Sequence, residues 1–240
     1  MSVLQISHYS KDYNGKKAVE DLSLDIQAGE IYGFIGHNGA GKTTTIKAVA
    51  GILPFTQGEI LVDGVSVRQD PIACKRKIAY IPDNPDLYEF LSGIKYLNFI
   101  ADLFRVPKKQ REERIHQYAE IFGMTGDLGS SIGAYSHGMK QKLSLIAALI
   151  HEPKLMLLDE PFVGLDPKAA HDLKQIMRRL CDGGGAIFFS THVLEVAEKL
   201  CDKVAIIKNG KLAASGPMDQ VRGDESLEQV FLELVDDERA

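Results

Sequence analysis

The chain has 240 residues, of which 45% are hydrophobic, and a formal net charge of −5. That length supports one large domain with a sizeable core, and the acidic balance, with no basic stripe interleaved with aromatics, argues against a nucleic-acid partner. Apolar runs such as 143–150 fall far short of the ~20 residues of a membrane-spanning helix, and Cys74, Cys181 and Cys201 show no metal-ligand spacing and suit a reducing compartment.

Residues 2–6 read as a strand rather than a cleavable signal. Short strands are expected over 3–8, 22–26, 31–35, 59–62 and 78–81, with a helix over 44–52 ended near Pro54. The stretch 87–152 reads as helical, with helices over 95–104, 110–122 and 137–150. Within it Lys108-Lys109-Gln110-Arg111 is answered by Glu112 and Glu113 and reads as a solvated helix face. Buried strands at 154–158, 186–189 and 204–207, with helices between them, imply a parallel sheet of doubly wound type. An acidic amphipathic helix is expected over 225–236. The fold class is therefore α/β, a mixed sheet with an N-terminal antiparallel β region and an inserted helical subdomain.

The run Gly36-His37-Asn38-Gly39-Ala40-Gly41-Lys42-Thr43 fits the phosphate-cradling pattern G-x-x-x-x-G-K-[ST] between a strand and a helix. Glycines let such a loop turn its backbone N–H groups inward at phosphate oxygens, and the helix N-terminus adds its positive dipole end. Lys42 is expected to bridge the β- and γ-phosphates and Thr43 to offer its hydroxyl to Mg²⁺. A second motif, Leu155-Met156-Leu157-Leu158-Asp159-Glu160, is an apolar strand ending in two carboxylates, at the sheet edge where α/β ligand sites form. Asp159 is placed to hold Mg²⁺. Glu160, on the opposite face by strand alternation, is placed to orient and deprotonate the attacking water. Ser136 reads as the N-cap of the helix after it, so its hydroxyl and the Gly138 N–H form a second anion site.

Three further motifs follow in a fixed order: Tyr135-Ser136-His137-Gly138-Met139-Lys140-Gln141-Lys142, Gly164-Leu165-Asp166, and Ser190-Thr191-His192 after an apolar strand. With the phosphate loop and the Asp-Glu strand, the series resembles the ATP-binding subunit of an ABC transporter over essentially the whole chain. The three resemble, in turn, that family's signature motif, D-loop and switch histidine, and Tyr13 sits where the family places an aromatic that stacks on adenine. The resemblance implies one ABC ATPase domain, with an ATP-binding core over 1–86 and 153–217, a helical subdomain over 87–152 and a C-terminal helical tail over 218–240. It implies ATP and Mg²⁺ as cofactors and nucleotide contacts from Tyr13, Gly36, His37, Asn38, Gly39, Ala40, Gly41, Lys42, Thr43 and Thr44. Metal contacts fall to Thr43, Asp83 and Asp159, and catalytic roles to Glu160, His192 and Lys42. Ser136 and Gly138 are expected to act on the ATP of a second subunit in a head-to-tail pair, homo- or heterodimeric.

The signature has His137 and Met139 where Gly and Gln are usual, and the loop Ile81-Pro82-Asp83-Asn84-Pro85 has Asp83 where Gln is usual. These features resemble the exporter branch, whose membrane subunit is a separate polypeptide. A transmembrane permease partner and a cytoplasmic location at the inner face of the membrane are therefore expected. In the family the aromatic-rich stretch after Asp83 forms the groove for that partner. Tyr88 and Phe90 are the expected contacts there, while Leu97, Ile100 and Leu103 are expected in the core. The alternative reading is a soluble ABC ATPase that remodels a non-membrane partner such as a cofactor-assembly complex.

Overall fold

The computed structural model describes residues 1–236. β1 (Ser2–Tyr13) and β2 (Lys16–Gln27) form a hairpin, and β3 (Ile31–Ile35) runs into α1 (Lys42–Val49). β4 (Gln57–Val62), β5 (Val65–Ser66), α2 (Pro71–Lys77) and β6 (Ile78–Ile81) follow, and then α3 (Gly93–Leu103), α4 (Lys108–Ile121) and α5 (His137–Leu149). The remainder alternates β7 (Leu155–Asp159), α6 (Pro167–Asp182), β8 (Ala186–Thr191), α7 (Leu194–Leu200), β9 (Lys203–Lys208) and β10 (Lys211–Pro217), ending in α8 (Met218–Arg222) and α9 (Leu227–Asp236). The last four residues of the expected tail, 237–240, lie outside the described residues.

Two sheets form. The antiparallel one runs in the order β2-β1-β4-β5, and the other runs β10-β9-β3-β8-β7-β6, with five parallel strands and β10 antiparallel at its edge. β1 and β2 have 12 residues each, twice the length their apolar alternation suggests. The excess comes from His8 and Asp21, which take left-handed backbone conformations (φ 51° and 53°) where the β1–β2 register shifts, so the strands continue past broken alternation. Asn14-Gly15 closes this hairpin with both residues at positive φ, 52° and 87°. That is the geometry of a two-residue turn whose twist matches the strands. Asp63-Gly64 and Asn209-Gly210 close β4–β5 and β9–β10 in the same way.

The six-stranded sheet is apolar on both faces because both are covered. On β7, Leu155 and Leu157 face one cluster and Met156 and Leu158 the other, all fully buried. The antiparallel sheet and α1 cover the first face, and α3 to α7 cover the second. A sheet thus takes the place of helices over part of one face, a departure from doubly wound packing. α1 begins at Lys42 rather than Thr44. It also stops short of Ile52, because the N–H groups of Ile52 and Leu53 both turn back to the Lys47 carbonyl.

Two side chains in the helical stretch differ from expectation. Leu103 is 60% exposed, because the buried stripe of α3 runs through Gly93, Leu97 and Ala101 and Leu103 lies off it. Arg111 is not on a solvated face. Its guanidinium tucks under α3, donating to Asn98 Oδ1 at 3.3 Å, to the Val106 carbonyl at 3.2 Å and to Asp102. The three cysteines are free and buried, and burial pushes their thiols upward, so they act as packing groups.

Candidate functional site

Register brings the chemical residues together. β3, β8 and β7 are adjacent and parallel, with Ile35 opposite Thr191 and Ser190 opposite Asp159, so the phosphate loop, the Asp-Glu pair and His192 leave the sheet at one edge. The loop is pressed between β2 and β9. A Cβ on Gly36 would come within 2.5 Å of the Ile207 carbonyl oxygen, and one on Gly41, held at φ 112°, within 2.6 Å of the Ala18 carbonyl oxygen. Lys42 is buried. Its ammonium donates to the Gly36 carbonyl at 2.5 Å and to the His37 carbonyl at 3.1 Å. Burial pulls its pKa down while Glu160 and Asp159 oppose the shift, so this cation is partly compensated by the neighbouring carboxylates.

Asp159 is buried and accepts from Thr43 Oγ1 at 2.7 Å on one oxygen and from Ser190 Oγ on the other. Glu160 does not continue the strand alternation. It sits at φ 49°, an uncommon conformation for a residue with a Cβ, and its N–H donates to the Ser190 carbonyl at 3.2 Å. That turn swings its carboxylate to His192, with Glu160 Oε1 2.9 Å from Nδ1 and Oε2 accepting from the His192 N–H at 3.4 Å. The glutamate side chain is 12% exposed and the histidine 56%, so a shielded carboxylate faces a solvent-reaching imidazole. Ser190 fastens Asp159 directly and Glu160 through the main chain. The motif contains Ser190, but the sequence signal points to the histidine alone.

A cleft of about 200 Å³ is lined by Ala18, His37, Asn38, Gly39, Gly41, Lys42, Thr43, Thr44, Asp83, Asp159 and Glu160. Tyr13 does not line it. Tyr13 stands at the tip of the β1–β2 hairpin, 47% exposed, with the Lys11 ammonium 5.1 Å from its ring centroid. Ser136 and Gly138 are also elsewhere. Ser136 caps α5 by accepting from the Met139 N–H at 3.3 Å, and a Cβ on Gly138 would fall 2.7 Å from the Gly164 carbonyl oxygen, which requires glycine there. Asp166 caps α6 through the Ala169 N–H at 2.9 Å and pairs with Lys142 of α5 at 2.6 Å, so the turn at Gly164 and the start of α5 are locked together.

Among the described residues no cluster of three or more His, Cys, Asp and Glu groups could hold a metal unaided. The hydroxyl of Thr43 and the carboxylate of Asp159 are hard oxygen donors already in contact, which suits a small cation that completes its shell with phosphate and water. A larger cleft, about 310 Å³, lies between β6, α3 and α5. It is floored by Ala79, Ala147 and His151, with Leu87 and Tyr96 at its side. Tyr88 and Phe90 stand beside α3, 50% and 83% exposed, with the Tyr88 ring 6.3 Å from that of Tyr96.

Residues 19–163 match the family model described as ABC transporter. The chain belongs to that family. It is 34% identical to the ABC-type transporter ATP-binding protein EcsA of Bacillus subtilis over 98% of this chain and 97% of that one. It is 32% identical to the linearmycin resistance ATP-binding protein LnrL of the same organism, over 89% and 69% respectively. A solved ATP-binding subunit of an ABC transporter superposes with a TM-score of 0.94 at 35% identity, covering 97% of this chain and 99% of that one. The chain is thus an ATP-binding subunit of ABC transporter type, an ATPase whose hydrolysis is coupled to transport.

Proposed function

We propose that two such subunits close head to tail, each burying an ATP between its own phosphate loop and the Ser136–Gly138 turn of the other, and that the closure drives a separate transmembrane exporter subunit. The observation that carries this reading is the separation of two anion sites in one chain. The cleft at Lys42 gathers the phosphate loop, Asp83, Asp159 and Glu160, while Ser136 and Gly138 at the capped N-terminus of α5 do not line it. A helix N-terminus whose capping serine still has its hydroxyl hydrogen to donate can bind an anion.

Gly36 to Gly41 would turn their N–H groups to the phosphates, with Thr44 at the start of α1 and Tyr13 against adenine. Lys42 would exchange the Gly36 and His37 carbonyls for phosphate oxygens. Thr43 and Asp159 would hold Mg²⁺, with Asp83 reaching it through water. When bound, Mg²⁺ neutralises charge developing on the β- and γ-phosphates. Glu160 accepts the proton of the attacking water as its oxygen bonds to the γ-phosphorus and the bond to ADP breaks. His192, paired with Glu160 at 2.9 Å, holds the direction of that carboxylate and would contact the γ-phosphate.

Residues 87–152 would act as the helical unit that carries the signature turn and residues from 218 as the tail. The groove beside Tyr88 and Phe90 would receive the permease, with the chain on the cytoplasmic face of the membrane. Among the described residues no helix is long and apolar enough to cross a membrane, and the crossing would be made by the partner. The exporter direction is supported by Asp83 and by the Ser-His-Gly-Met turn, and by likeness to a protein named for linearmycin resistance. Glu160→Gln tests the chemistry. It should keep ATP binding, lose steady-state hydrolysis ~10²-fold or more and trap an ATP-dependent dimer on gel filtration, whereas near wild-type turnover would remove Glu160 as the base.

A further inference from the structure

The C-terminal helix reaches back to the phosphate loop. The Phe231 ring of α9 lies against the His37 imidazole, with centroids 4.9 Å apart and planes at 58°. Phe231 is buried, whereas His37 is exposed. α9 is anchored elsewhere too. Leu227 is fully buried and its N–H donates to Glu198 Oε2 of α7 at 3.1 Å, and Arg222 of α8 donates to the other oxygen of Glu198 at 3.2 Å. Lys208, at the end of β9, donates to the Leu234 carbonyl at 2.9 Å. α9 is therefore fastened to the helix that follows His192 and to the strand whose Ile207 carbonyl walls in Gly36.

His37 connects this anchor to the reacting end of the loop. Its carbonyl accepts from the Ala40 N–H at 3.1 Å and from the Lys42 ammonium at 3.1 Å. A glycine-rich loop has many conformations, and a nucleotide that must order it binds more weakly by that cost. A side chain that pins the loop from outside removes part of the cost before ATP arrives.

We propose that Phe231 is a positioning residue for the nucleotide: through the His37 ring, α9 holds the phosphate loop in its receptive conformation and so sets nucleotide affinity from outside the cleft. The inference rests on the phosphate loop being the ATP site. It gives α9 a role in the reaction that the amphipathic pattern of its sequence, which speaks only of packing, does not.

The test is a double-mutant cycle on the full chain with MgADP as the probe, read by titration calorimetry. Phe231→Leu keeps an apolar side chain in the core but removes the ring, and His37→Ala removes the other ring from the exposed side, where folding is not at stake. Each should weaken MgADP about three- to tenfold, the range an aromatic pair supplies. The double variant should bind no more weakly than the weaker single, and the nucleotide-free thermal midpoint of His37→Ala should fall by only about 2–4 °C, the loss of one such contact. Wild-type affinity in Phe231→Leu, or losses that simply multiply in the double variant, would overturn the proposal. Lys42→Ala separates it from the reading beneath it. If that variant loses MgADP while Phe231→Leu does not, only the role of Phe231 falls, and if Lys42→Ala binds normally the phosphate-loop site itself falls.

Discussion

His151 gives a pH-dependent stability that can be worked out from its surroundings. It follows α5, its Nε2 lies 3.2 Å from the Ile78 carbonyl at the start of β6, and its ring stacks on Phe104 with centroids 3.6 Å apart. A carbonyl only accepts, so Nε2 carries the hydrogen in the neutral ring, and protonation would put a charge and a second N–H at the buried Nδ1, where the Ala147 carbonyl offsets only part of the lost hydration. Burial accordingly pulls its pKa from 6.5 down to about 4. Between those values the unfolded chain binds a proton that the folded chain refuses, so stability rises with pH across the window and falls as the solution is acidified. The full shift corresponds to about 3 kcal/mol, of which about 2 kcal/mol is lost by pH 5 relative to pH 7.5. His151→Gln keeps a donor for the Ile78 carbonyl but does not titrate. Urea unfolding at both pH values should therefore show the variant losing about 2 kcal/mol less than the parent on acidification. Equal losses would show that the folded ring takes up its proton freely and would refute the argument.

Two other outcomes test the nucleotide reading. Tyr13→Ala should weaken ATP without abolishing binding, by the ~1–3 kcal/mol that base–aromatic stacking supplies, and calorimetry showing no change would remove Tyr13 from the adenine site. Mixing Ser136→Arg chains with Lys42→Ala chains, each inactive alone, should restore part of the hydrolysis by rebuilding one composite site, whereas normal hydrolysis by Ser136→Arg alone would disprove a role in the shared site.

What the sequence made legible was the apolar strands and their ends. Five-residue runs such as Ile31-Tyr32-Gly33-Phe34-Ile35 are buried on both faces, so each is visible as an unbroken apolar block, and the residue after each block marks the sheet edge where the site lies. The half-exposed strands were less legible. β1 and β2 continue through left-handed bulges at His8 and Asp21 that break the alternation, and β5 and β10 carry little apolar pattern at all. Their real signal was the turn chemistry of Asn14-Gly15, Asp63-Gly64 and Asn209-Gly210, which marks hairpins even where periodicity fails. Glu160 reads as a strand residue in sequence because nothing in an Asp-Glu pair announces a positive φ. The contact between His37 and Phe231 joins residues from opposite ends of the chain, which no local pattern encodes.

Lys42, Thr43, Asp159 and Glu160 already have polar partners in the cleft. Lys42 donates to carbonyl oxygens where phosphate oxygens would stand, the Thr43 hydroxyl donates to Asp159 where a cation would take both oxygens, and Glu160 is held by an imidazole. Binding then exchanges one satisfied polar contact for another, which avoids the cost of leaving a buried charge unpaired. In the proposed complex the γ-phosphate would still need a donor on its outer side. Such donors are present in the same chain at the capped start of α5, but Asp166 and Lys142 lock that turn to the Gly164 segment, and it does not line the cleft. On the proposed reading a chain that carries both halves of a site but holds them apart completes the site with a second chain presented in reverse, and hydrolysis would then wait for dimer closure.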